Sequence, residues 1–97
     1  MVFRIMLNKM INREQCRAAR AWLGLTQDQL SAATGVAQKT IARIETGVVV
    51  PHDRTLRDLQ RALEERGIEF LFEGAVGIGV RLRRTEAEQT AISRTKK

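Results

Sequence analysis

Glycine punctuation confines this chain to short helices. Gly24, Gly35, Gly47 and Gly67 each follow a stretch in which apolar residues recur with a helical period. Asn12 is placed to cap the first helix, with Gln15 three residues on as the return half of a capping box. The stretch Arg13–Leu23 then sets Cys16, Ala19, Arg20 and Leu23 on one face, and Gly24 stops it. Thr26 and Gln29 repeat the box ahead of a shorter helix, Gln27–Ala33, with Leu30 inward. Gly35, inside Thr34-Gly35-Val36, suits the left-handed backbone of a tight turn, where a Cβ would be strained. A third helix from Gln38 to about Glu45 turns Ile41 and Ile44 inward and ends at Gly47. Pro51 follows Val48–Val50 and cannot lie inside a helix, so it precedes the fourth, from about Asp53 to Arg66. That helix buries Leu56, Leu59 and Leu63 and stops at Gly67.

Beyond Gly67 the period changes to two. Ile68, Phe70 and Phe72 alternate with Glu69, Leu71 and Glu73, and Val80 and Leu82 alternate with Arg81 and Arg83. The pattern predicts a β-hairpin with the glycine-rich Gly74–Gly79 as its mobile tip. An isolated hairpin is marginal, so it must pack on the helices or pair with another chain. Val2–Leu7 is apolar enough for a further strand, and Arg84–Lys97 is polar. The expected organisation is an N-terminal extension over 1–11, a helical domain over 12–66, the hairpin over 67–83 and a basic tail over 84–97.

At 97 residues there is room for one domain, and the 43% hydrophobic content supplies a core. The net charge of +6 and sequence pI near 10.7 favour a polyanionic partner. The three stretches 1–11, 12–66 and 67–97 each net +2, so no segment is a basic arm. Aromatics make up only 4%, against a stacking platform for single strands. One cysteine and one histidine exclude an internal disulfide and cannot assemble a zinc site within one chain. No apolar run approaches a membrane span and no leader pattern stands at the start, so a cytoplasmic location is expected. Paired carboxylates, a nucleophilic triad and a metal cluster are all missing from the pattern, so no enzyme and no cofactor are expected.

The informative stretch is Leu23–Gly47, two short helices joined by a tight turn. That geometry lets a second helix enter the DNA major groove while the first crosses the backbone. The segment Leu23-Gly24-Leu25-Thr26-Gln27, with Leu30, Gly35-Val36, Thr40-Ile41, Ile44-Glu45 and Gly47, resembles the Cro and phage-repressor helix-turn-helix, the lambda repressor-like or XRE family. Pro51, Thr55-Leu56, Leu59 and Ala62-Leu63 extend the likeness over roughly residues 12–66. The resemblance implies a mainly α fold: a four-helix lambda repressor-like domain, here with a small C-terminal β-hairpin. It implies binding of double-stranded DNA in transcriptional regulation, as a repressor acting as a homodimer. It assigns Gln27 to a phosphate, Gln38, Lys39 and Arg43 to base edges, Thr40 to a phosphate or a thymine methyl, and Arg20 and Glu45 to an ion pair. The residue chemistry agrees, since Gln pairs with adenine and Arg or Lys with guanine in the major groove.

Three positions depart from the family pattern. Ala37 stands where a Ser or Thr cap is usual, Ser31 replaces a small apolar residue, and Val48–Val50 occupies a site where a Lys or Arg often meets phosphate. Arg54 is a candidate to compensate. Two rival functions stay open: an antitoxin whose partner is a toxin or effector protein, and an adaptor that keeps the fold without reading DNA. Gly74, Gly77 and Gly79 lack the spacing of a phosphate loop. Trp22 reads as packing, against the hairpin or a second subunit, Cys16 as core, and His52 as the start of a helix.

Overall fold

The computed structural model describes residues 9–83. Val2–Leu7, a candidate for a strand or a disordered extension, and the polar tail Arg84–Lys97 lie outside the described residues. Four helices are followed by a two-stranded hairpin: α1 is Arg13–Leu23, α2 Gln27–Thr34, α3 Gln38–Thr46 and α4 Asp53–Glu65, then β1 Ile68–Glu73 and β2 Val76–Leu82. The architecture is the mainly α, four-helix arrangement with a C-terminal hairpin that the sequence implies.

Local chemistry sets the helix ends. Asn12 accepts from the Gln15 backbone at 2.8 Å, and the Gln15 amide oxygen accepts from Asn12 N at 3.1 Å. Thr26 and Gln29 form the same reciprocal pair ahead of α2. Ala37 leaves α3 without a side-chain cap, and His52 does the same for α4. Gly35 ends α2 at φ 80°, the left-handed conformation its turn requires.

None of these helices is long enough to persist alone, so a shared core holds them. Cys16 and Ala19 of α1, Leu30 of α2, Ile41 and Ile44 of α3, Leu59, Ala62 and Leu63 of α4, and Ile68 and Phe70 of β1 form one buried cluster with Ile11. Leu23, Leu25, Val36, Leu56, Phe72, Val80 and Leu82 pack around it. The hairpin therefore completes the helical core. Antiparallel pairing sets Ile68 opposite Leu82 and Phe70 opposite Val80, so apolar pairs cover the helices from one face. The other face carries the exposed Glu69–Arg81 ion pair at 2.8 Å.

Gly74–Gly79, expected as the tip, is mostly strand. Only Gly74 and Ala75 turn; β2 begins at Val76, paired with Glu73. Phe72 pairs with Gly77 but Leu71 with Gly79, so Ile78 is an extra residue in a β-bulge. Gly77 answers to close approach. A Cβ on Gly77 would collide with the amide of Gln15. Gln15 is 3% exposed, and its Nε2 donates to Leu71 O at 2.9 Å and Gly79 O at 3.0 Å, across the bulge. Asn12 Nδ2 donates to Gly77 O at 3.1 Å. One capping box thus starts α1 and also pins the hairpin to it.

This interlock makes a specific expectation. Gln15→Ala removes a buried amide and its bonds to two half-buried carbonyls and should cost about 1–3 kcal/mol. Gly77→Ala should be destabilising in the natural background and much milder when Gln15 is already Ala, because the clashing amide is gone. Denaturant melts of both single variants and the double variant measure that coupling; additive losses would show that Gln15 and Gly77 do not compete for space.

Candidate nucleic-acid interface

The candidate reading helix is α3. Ile41, Ile44 and Glu45 face the protein and are buried, while Gln38, Lys39 and Arg43 are exposed and Thr40 is half-buried. Lys39 and Arg43 stand one turn apart on a single stripe. The turn Gly35–Ala37 joins α3 to α2, and Val36 packs against the core from within it. α2 brings Gln27, its first residue, beside the start of α3.

The inward side of α3 is organised around Glu45. This carboxylate is 2% exposed. Arg20 Nε donates to Oε2 at 2.8 Å and Arg20 Nη2 to Oε1 at 2.9 Å, a two-pronged contact of the kind that suits guanidinium and carboxylate. Arg20 Nη1 donates to Leu25 O at 2.9 Å, in the turn between α1 and α2. Gln27 Nε2 donates to Glu45 Oε1 at 3.0 Å. Since a carboxylate can only accept, the Gln27 amide is oriented by it, and Gln27 Oε1 turns to accept from Gln38 Nε2 at 2.7 Å. A chain of bonds so runs from Arg20 through Glu45 and Gln27 to the exposed Gln38. Among the described residues no buried side-chain nitrogen or oxygen lacks a partner.

Two further arginines of α1 reach the same helix. Arg17 Nη1 donates to Glu45 O, and Arg13 Nη1 donates to Thr46 O at 3.0 Å. Neither was singled out from sequence. A signal was present: Arg13, Arg17 and Arg20 follow the i, i+4, i+7 spacing of one helix stripe.

The electrostatics follow from these contacts. Burial pushes the Glu45 carboxyl up, but the bonds from Arg20 and Gln27 and the nearby positive charges outweigh it and hold it below the ordinary value. Burial, reinforced by the Glu45 charge, pushes the Cys16 thiol up to about 12, so it remains a neutral core thiol. Gln27 and Gln38 are brought together by a hydrogen bond, while Lys39 and Arg43 lie exposed along α3 and Thr40 half-buried beside them. Trp22, by contrast, is 53% exposed on α1 and stands outside the core cluster.

A helix-turn-helix family model, HTH_3, matches residues 17–71, more than half of the chain. The chain belongs to this lambda repressor-like helix-turn-helix family. No curated protein matches it. The family is one of DNA-binding regulators and is typically non-enzymatic, and the match spans α2 and α3 entirely. Among the described residues no helix is long and apolar enough to cross a membrane.

Glu45 also fixes a pH response. Its native carboxyl value lies below the ordinary 4.5, so the stability it contributes is complete above that value and is lost as pH falls through the lowered one. Glu45→Gln should cost up to about 3 kcal/mol at neutral pH, since it strands Arg20. It should also flatten the loss of stability below pH 4.5 relative to the natural protein. Thermal melts of both proteins from pH 7 to pH 3 check this, and parallel curves would exclude Glu45 as the source.

Proposed function

We propose that this chain is a transcriptional repressor that binds operator DNA in the cytoplasm as a homodimer, reading the major groove with α3. The observation that carries the proposal is the state of Gln38. Its side chain is exposed on α3 while one Nε2 hydrogen is committed to Gln27. Its oxygen and second hydrogen remain for the paired acceptor and donor of an adenine edge. Lys39 and Arg43 suit guanine, and Thr40, half-buried beside them, suits a phosphate or a thymine methyl. Gln27 and the first backbone N–H groups of α2 suit a phosphate of the strand that α2 crosses. The uncapped start of α3 adds free N–H groups with no competing acidic side chain.

Dimerisation is supported by surface left uncovered. Val76 is 64% exposed and Ile78, ejected by the bulge, 60% exposed. Trp22 is exposed on α1, whose Ala18 shares a groove with Ile78. Paired recognition helices must reach half-sites about one helical turn apart, which two copies related by a two-fold axis supply. Val48–Val50 is exposed in turn, at 72%, 37% and 96%. That run favours a second reading, an adaptor that binds protein in place of DNA.

Selection of bound sites from random duplex DNA decides between the two. A regulator yields a near-palindromic sequence; recovery of random duplexes alone favours the adaptor. On the selected site, Gln38→Ala and Lys39→Ala should each weaken binding by about 1–3 kcal/mol and relax preference at one base position. Unchanged affinity and preference in both variants would falsify the assignment of α3 as the reading helix.

Assembly has its own test. Replacing Val76 and Ile78 together by Ser should leave the fold intact, because both side chains are exposed, and should shift the protein toward monomer in sedimentation. A dimer of undiminished strength would place the interface elsewhere.

A further inference from the structure

We infer that Arg13 and Arg17 are positioning residues for DNA reading: by holding the last carbonyls of α3 they set the angle at which its other end meets the bases. The inference rests on the proposal that α3 reads DNA.

A helix leaves its final carbonyls without intrahelical partners. In α3 these are filled from α1: Glu45 O accepts from Arg17 and Thr46 O from Arg13. The seat is shaped for the purpose. Gly47 follows, and a Cβ there would collide with the Arg13 guanidinium. Arg13 Nε also donates to Glu14 Oε2 at 2.9 Å, which fixes the guanidinium from behind and balances its charge. Donors so engaged face the helix end, and a carboxylate at the back of Arg13 opposes a phosphate there.

The opposite end of α3 is held less firmly. Ala37 supplies no cap, and among the described residues the Gln38 side chain bonds to Gln27 alone. Orientation is therefore imposed mainly from the buried centre and from the C-terminal end. The lever is significant. Nine residues make a helix about 13 Å long, so a tilt of ~10° about its C-terminus moves the first turn by about 2 Å. Base-edge hydrogen bonds do not survive a displacement of that size. Small losses of anchoring at Glu45 and Thr46 thus become losses of base discrimination at Gln38 and Lys39.

The experiment uses the full chain with Arg13 and Arg17 both replaced by Met, which keeps the apolar stems and removes the donors, and with both replaced by Lys. Affinity is measured on the duplex selected by the natural protein and on its single-base variants over a range of salt, beside thermal melts and amide hydrogen exchange. The Met pair should bind the selected duplex at least about tenfold more weakly and discriminate less between bases under α3. Its thermal midpoint should stay within a few degrees, and its slope of log affinity against log salt should match the natural protein. Amides of α3 should exchange faster while those of β1 and β2 do not. The Lys pair should recover part of the discrimination.

Unchanged affinity and discrimination would overturn the inference, as would a loss of binding explained entirely by a lowered midpoint. A salt slope reduced by about one per arginine, with discrimination intact, would overturn it too and make both residues phosphate ligands. If the natural protein selects no duplex, it is the DNA-reading proposal that fails. The exchange of α3 then still reports whether the two arginines hold that helix.

Discussion

A carboxylate buried in so small a domain must be compensated, and the compensation of Glu45 organises the helices around it. Its negative charge sits at the end of α3, where the helix dipole is itself negative, so the site demands positive partners. Arg20 supplies a fork from α1, Gln27 an amide from α2, and Arg17 a bond to the neighbouring carbonyl. Three helices are thereby committed to one relative placement that apolar packing alone would specify less sharply. Close-packed aliphatic side chains tolerate small slides, whereas a two-pronged guanidinium contact with both oxygens engaged does not.

α1 carries the consequences in two directions. One side of it presents Arg13, Arg17 and Arg20 to α3. Its start presents Asn12 and Gln15 to the hairpin, where the Gln15 amide fills the space that Gly77 leaves and bonds two strand carbonyls. The hairpin is then more than a lid on the core. Its bulge is shaped by α1, and the same bulge pushes Ile78 outward. The exposed bulge that we propose meets a second copy and the helix that we propose reads DNA are both referred to one helix of eleven residues.

Much of this was legible in the sequence, for identifiable reasons. Helix ends followed from capping boxes and glycine, whose effects are local. The inward residues followed from periodicity, and Ile68, Phe70 and Phe72 from alternation. The spacing from Leu23 to Gly47 carried the family and the candidate reading residues Gln38, Lys39, Thr40 and Arg43. What was not legible was long-range. Gln15 looked complete as half of a capping box, yet its side chain has enough amide valence to serve the hairpin also. Gly77 and Gly79 looked like a loop because glycine density ordinarily marks one, and the approach of α1 explains Gly77 alone. Arg13 and Arg17 were not singled out: their spacing put them on one stripe with Arg20, but nothing local says that a guanidinium will find a carbonyl more than twenty-five residues away.

The missing cap on α3 fits the same division of labour. A Ser, Thr or Asp at position 37 would satisfy one of the first N–H groups of the helix and steady its start. It would also place an acceptor oxygen, or a negative charge, at the end that we propose meets DNA. Ala37 leaves those groups open, and the bonds that orient the helix lie on the protein side, at Glu45 and Thr46. All of the strong bonds that fix α3, apart from that of Gln38 to Gln27, lie on its inner face or at its far end. A helix held from behind in this way can present Lys39 and Arg43 without spending either of them on its own stability.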